Sequence, residues 1–213
     1  QIVPADAPDE SDIIVAWRQR LLPYRLSLGV DDSGSKTTGK YQGSLTFSAD
    51  NPFGLSDLFY LSYGRHLGHT DTHTDTEGKT PAGGTQSYAF HYSVPAGNWR
   101  WSWNHNYYRY HQAVAGINEV YDYNGKSRGS DIGFTRLLYR DARRKSHIGF
   151  KLWQKENQSF IDDAEVEVQR RKTAGWQLSL KHKEYIGRST LDIGLGYKRG
   201  TGMADAIAAP EEV

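Results

Sequence analysis

Apolar and polar residues alternate with a period of two over nine stretches of this chain, and the connections between those stretches are alternately short and long. From Tyr24, the positions Leu26, Leu28 and Val30 are apolar, while Arg25, Ser27 and Gly29 are not. The same alternation runs through Leu45, Phe47 and Ala49, and through Tyr88, Phe90, Tyr92 and Val94. Trp99, Trp101 and Trp103 repeat it, as do Ile148, Phe150 and Leu152. Trp176, Leu178 and Leu180 follow, then Leu191, Ile193, Leu195 and Tyr197. Residues 57–67 and 130–141 fit less regularly. Successive strand side chains point to opposite faces, so each stretch reads as a strand with one apolar face. No stretch makes a convincing helix. The expected class is all-β.

The short connections are 51–56, 95–98, 142–145 and 186–189. The longer ones are 33–40, 68–86, 113–129 and about 157–166. An antiparallel up-and-down sheet collects all short turns at one end and all long loops at the other. That is the layout of a transmembrane β-barrel of the outer-membrane type. The spacing predicts strands of ~9–11 residues, long enough to cross a bilayer when tilted. Phe53, Trp99, Tyr139 and Tyr185 cluster near the short turns, as an interfacial girdle would. His91, Arg100, Ser102, Asn104, Lys151, Lys181 and Lys198 alternate with apolar residues, which predicts a pore-facing set. A soluble β-sandwich or lipocalin-like barrel gives the same period with the facing reversed. The alternation of loop lengths favours the membrane barrel.

Composition agrees. Hydrophobic residues are 37% and mean hydropathy is −0.71, low for a packed soluble core. A barrel needs only its outward face to be apolar. The 14 Tyr and 6 Trp argue against disorder. A net charge of +1 gives no bulk field for nucleic acid. The absence of cysteine removes disulfides, thiolate metal sites and cysteine nucleophiles. No apolar run reaches the ~18 residues of a transmembrane helix. The opening "QIVPADAPDESD" has neither the basic start nor the apolar centre of a signal peptide.

Candidate chemistry is sparse. Gly34 to Lys40, "GSKTTGK", has the glycine and lysine spacing of a phosphate-binding loop. Such a loop needs Ser or Thr after the lysine, and a helix to open. Tyr41 follows instead, and a strand comes next, so a hairpin loop is expected. His66, His69, His73, Asp71 and Asp75 could ligate a divalent metal. They lie in a polar Thr- and Gly-rich stretch, which reads as a solvated loop. Asp31-Asp32 and Asp162-Asp163 are neighbours at hairpin ends, where Asp forms turns. The basic clusters 140–145 and 169–172 read as solvated turns. No constellation supports an enzyme, and no metal or other cofactor is expected.

"LPYRLSLGVDDSGSKTTGKYQGSLTFSADNPFGLSDLFYLSYG" resembles the first barrel strands of two-partner secretion transporters of the hemolysin-activator type. "SYAFHYSVPAGNW", "YRYHQ", "FTRLLYRDARRKS", "LWQKENQSFIDDAEVEVQRRKTAGW" and "YKRGTG" continue the resemblance in order. It covers about Ser11 to Glu212. The resemblance implies a roughly 16-stranded outer-membrane barrel, plugged by a helix and preceded by two periplasmic POTRA domains. It implies secretion of a large partner exoprotein, such as a hemolysin, adhesin or contact-dependent toxin, through the pore without ATP or metal. "SDIIVAWRQR" resembles the last strand of the second POTRA domain. Residues 1–20 are then expected to be a POTRA tail and linker, 21–203 the N-terminal half of the barrel, and 204–213 a loop or chain end. The family's inward loop with its Arg-Gly-aromatic motif and its C-terminal aromatic residue are not found in this stretch. Such a half-barrel is expected to contact outer-membrane lipid and to self-associate. A soluble β-sheet ligand-binding module is the alternative.

Overall fold

The computed structural model describes residues 2–4, 11–13, 23–68, 83–115 and 120–207. Strands β1 (Ile2–Pro4) and β2 (Ser11–Ile13) pair antiparallel as a small two-stranded sheet. The remainder of the expected POTRA strand, residues 14–20, lies outside the described residues.

Nine long strands form the second sheet. They are β3 (Tyr24–Asp31), β4 (Tyr41–Asp50), β5 (Leu58–Leu67), β6 (Gly84–Ala96), β7 (Trp99–Ala115), β8 (Val120–Arg140), β9 (Arg144–Ile161), β11 (Arg171–Ile186) and β12 (Ser189–Thr201). A short strand, β10 (Ala164–Glu165), folds back on β9. Each long strand pairs antiparallel with the next long one in the chain. The sheet is therefore an up-and-down meander, and it is not closed. Among the described residues β3 pairs only with β4, and β12 only with β11.

The short turns are built from local chemistry. Ala96 pairs with Trp99 and Ile186 with Ser189, leaving two-residue loops. Gly97 and Gly187 take φ of 60° and 58° there, which glycine adopts without steric cost. At 51–57 the buried Asp57 accepts from the amides of Phe53 and Leu55. At 141–143 the Asp141 carboxylate accepts from the amides of Arg143 and Arg144 and from the Tyr139 hydroxyl. The Tyr139 hydrogen bond, then those amides, hold Asp141 well below the usual carboxylate range.

The outer ends depart from expectation. Four consecutive strands of the sheet, β7, β8, β9 and β11, run 17, 21, 18 and 16 residues. Residues 113–129 are thus not a long loop. All but 116–119, which lie outside the described residues, continue the β7–β8 ladder. The cause is cross-strand packing. Tyr110 lies over Gly125, where an added Cβ would come within 2.6 Å of the ring, and its ring is tilted against Tyr123 at 5.9 Å. Residues 157–166 likewise hold the end of β9, a turn at Asp162-Asp163 with φ of 47° and 67°, and β10. Gly34 to Lys40 is a hairpin loop, closed by the Gly34 amide donating to the Lys40 carbonyl at 3.0 Å.

Candidate functional site: the two faces of the sheet

Register decides which side chains share a face, because paired residues of adjacent strands point the same way. One row across the sheet reads Tyr24, Ala49, Phe59, Tyr92, Trp103, Ile132, Leu152 and Trp176. A parallel row holds Val94, Trp101, Phe134, Phe150, Leu178 and Tyr197. These rows make one continuous apolar face. Its rings interlock: Trp101 meets Phe134 edge-on at 4.6 Å, and Phe90 meets Trp103 at 4.7 Å. Yet it is open. Leu28 is 79% exposed, Leu195 63% and Trp101 50%. Among the described residues only Ala49, Ala113 and Ala174 are buried hydrophobics, so this sheet has no interior core of its own.

The opposite face is polar. One row reads Arg25, Ser48, Tyr60, His91, Asn104, Asp131 and Trp153. It is wired side chain to side chain. Tyr60 stacks on His91 at 5.1 Å, and His91 Nδ1 lies 2.6 Å from Asn104 Oδ1. Asn104 Nδ2 donates to Asp131 at 2.8 Å, and Lys151 Nζ lies 3.5 Å from the same carboxylate oxygen. The next row is Ser102, Gly133, Lys151, Gln177 and Lys198. Lys198 sits 4.0 Å over the Trp153 ring. Small residues thin this face, with Ser102 opposite Gly133 and Ser179 opposite Gly149.

All seven residues of the sequence-derived polar set, His91, Arg100, Ser102, Asn104, Lys151, Lys181 and Lys198, fall on this one face. Asp131 and Tyr60 join them and were not anticipated, because 57–67 and 130–141 alternate weakly in sequence. A register shift between Leu137 and Tyr139 explains part of that weakness. The four aromatic residues near the short turns do not all share a face. Trp99 lies on the apolar face, with the Arg136 guanidinium 5.2 Å from its ring. Tyr139 pairs with Ser146 beyond the bulge and returns to that face. Phe53 projects from its turn toward Tyr92 at 6.0 Å. Tyr185 pairs with Thr190, two places on from Lys183 and Asp192, and so stands on the polar face. The outward place there belongs to Ile186. His69, His73, Asp71 and Asp75 lie outside the described residues. His66 Nδ1 accepts from the Thr85 amide at 3.1 Å.

A sequence model of the family described as haemolysin secretion/activation protein ShlB/FhaC/HecB matches residues 9–212. The chain belongs to this family. Among curated relatives, the outer membrane transporter CdiB-2 of Burkholderia pseudomallei is 27% identical over 99% of this chain and 35% of its own length. The hemolysin transporter protein ShlB of Serratia marcescens is 22% identical over 94% of this chain and 34% of its own. Two solved structures share the fold. CdiB from Escherichia coli superposes with a TM-score of 0.75 at 21% identity, covering 97% of this chain and 37% of that one. CdiB from Acinetobacter baumannii gives 0.68 at 33% identity, covering 94% and 37%. The chain spans about a third of the length of these relatives, and its unclosed meander superposes on part of the solved CdiB structures.

Proposed function

We propose that this chain is part of an outer-membrane translocation pore that secretes a large partner exoprotein by two-partner secretion. In this reading residues 21–203 are the N-terminal half of the barrel wall, and 1–20 the end of a POTRA domain that receives the exoprotein. The apolar face meets lipid. The polar face, with Arg100, Ser102, Asn104, His91, Lys151, Lys181 and Lys198, lines the pore. Phe53, Trp99 and Tyr139 mark the periplasmic boundary, and Tyr185 lies at the pore mouth. The exoprotein is a hemolysin, an adhesin or a contact-dependent toxin.

One observation carries the reading. A sheet whose large aromatic face is uncovered and whose other face is a hydrogen-bonded polar network has the inverse of a soluble core. A passing unfolded chain needs a wet wall, and the Ser–Gly and Asn–Asp rows supply that. The test is site-directed labelling of the full-length protein in cells. Cysteine at Ser102 or Gln177 should react with a water-soluble thiol reagent, and a stalled exoprotein should block the reaction. Cysteine at Trp101 or Leu178 should react only with a lipid-soluble reagent. The opposite labelling pattern would sink the assignment of faces.

A further inference from the structure

The outward stretch of β5, β6 and β7 ends in a row of three tyrosines. Tyr63, Tyr88 and Tyr107 are cross-strand partners, with ring centroids 5.0 and 6.1 Å apart along the row. Such rings settle where hydrocarbon meets headgroup. The next outward row is Arg65, Gln86, Arg109 and Lys126, which contains cations and no carboxylate. A cleft of about 350 Å³ opens at this rim, lined by Arg65, Gln86, Arg109 and His111 among others. Among the described residues Arg109 Nε is buried there without a hydrogen-bond partner.

Neighbouring basic side chains on this face are engaged. Arg128 pairs with Glu156 at 2.7 Å and Lys172 with Asp205 at 3.4 Å. Lys126 lies over the Phe160 ring at 4.9 Å, and His111 faces Asp122 at 3.6 Å. Arg65 and Arg109 enter no ion pair among the described residues.

We propose that Arg65 and Arg109 clamp the phosphate of an outer-leaflet glycolipid headgroup, with Gln86 between them. The proposal rests on the reading that the apolar face meets lipid. The two arginines stand two strands apart, about 10 Å at the backbone, close enough for both long side chains to reach one phosphorylated sugar. A guanidinium fork matches phosphate geometry in two parallel hydrogen bonds, and Arg109 Nε gains the acceptor it lacks. The acyl chains continue down the tyrosine row onto the apolar face, which is why a lipid phosphate is favoured over the free ion.

The test uses the full-length transporter purified in detergent. Native mass spectrometry would follow its complexes with lipid A carrying both phosphates, with enzymatically dephosphorylated lipid A, and with inorganic phosphate as competitor. The phosphorylated lipid should be retained over the dephosphorylated one by about tenfold or more. Arg65→Gln combined with Arg109→Gln should abolish that preference while heat-modifiable mobility persists. If that variant fails to assemble, Arg65→Lys with Arg109→Lys, which keeps charge but removes the forks, should weaken the preference. Equal retention of the two lipids would overturn the proposal, as would an unaltered preference in the variants. Displacement of the lipid by millimolar inorganic phosphate would mark a free-anion site and overturn it too. Failure to bind either lipid, together with aqueous labelling at Trp101, would remove the lipid-facing reading itself.

Discussion

Trp101 and Ser102 are neighbours in the chain and belong to opposite faces. Trp101 packs on Phe134 among exposed aromatic residues, while Ser102 stands over Gly133 with its hydroxyl toward the Gly133 carbonyl. Arginine on the lipid face costs ~2–4 kcal/mol at mid-bilayer and less toward the boundary that Trp99 marks, whereas a wet lumen tolerates it. Trp101→Arg is therefore expected to lower the yield of assembled full-length barrel, read as loss of the heat-modifiable band. Ser102→Arg should leave that band and change single-channel conductance. Equal assembly defects would show the faces to be misassigned. Asp141 offers a second test at this scale. Its hydrogen bonds to Tyr139 and to two turn amides lower its pKa in the folded state. A depressed carboxylate contributes stability that is complete above its unfolded pKa, about 3.9, and is lost as pH falls through the lower folded value. Asp141→Asn should unfold at lower temperature than the parent at pH 7, and the gap should narrow as pH is taken below about 4. A gap unchanged by acid would mean that ionisation of Asp141 plays no part.

The β7–β8 hairpin is the element that sequence spacing misread. Its outer half is held by tyrosines over glycines rather than by an apolar stripe. Tyr110 covers Gly125, and Tyr108 lies on the polar face opposite Ser127. Gly125→Ala places a methyl group against the Tyr110 ring, and overpacking of this kind costs ~1–3 kcal/mol. The expected result is easier proteolysis of the hairpin with the barrel intact, checked by limited digestion of the full-length protein. Global loss of the barrel would mean that the extension is not separable from the wall. The β9–β11 connection is fastened differently, by Arg170 donating to both oxygens of Glu165 at 2.7 and 2.6 Å. That hydrogen bonding holds Glu165 below its ordinary value. At the next outer connection, a tag inserted beside Gly83 should be reached by antibody on intact cells without loss of secretion. Labelling only after permeabilisation would invert the topology.

At the scale of the whole molecule, the open edges β3 and β12 dominate. Among the described residues each presents a line of unpaired N–H and C=O groups. In lipid every such group costs several kcal/mol, and in water a bare edge recruits another strand. The uncovered aromatic face adds apolar area that water penalises. The 213-residue chain alone should therefore associate with itself, by pairing edges or burying apolar faces against each other. Light scattering should find a multimer, and bilayer recordings should find no stable full-size channel. A monodisperse monomer that conducts would refute the argument.

How much of this was legible in the sequence follows from the physics of alternation. Period 2 is local, so nine strands, their antiparallel order and the seven members of the polar face could be read from single strands. The short connections 95–98 and 186–189 were readable as breaks in the alternation, and the folded sheet narrows each to a two-residue loop. Register is not local. Which residue stands opposite which is fixed by turn geometry and by the bulge at 137–139, and only the folded sheet aligned His91, Asn104, Asp131 and Lys151 into one network. Strand length at the outer ends was also hidden. Polar, tyrosine-rich segments look like loops until a partner strand supplies their hydrogen bonds. Tyr185 stands on the polar face, which proximity to a turn does not reveal. The sequence alone determined a two-faced sheet. The tertiary structure decided its register, and with it which residues meet, because cross-strand pairing joins positions whose separation no local pattern encodes.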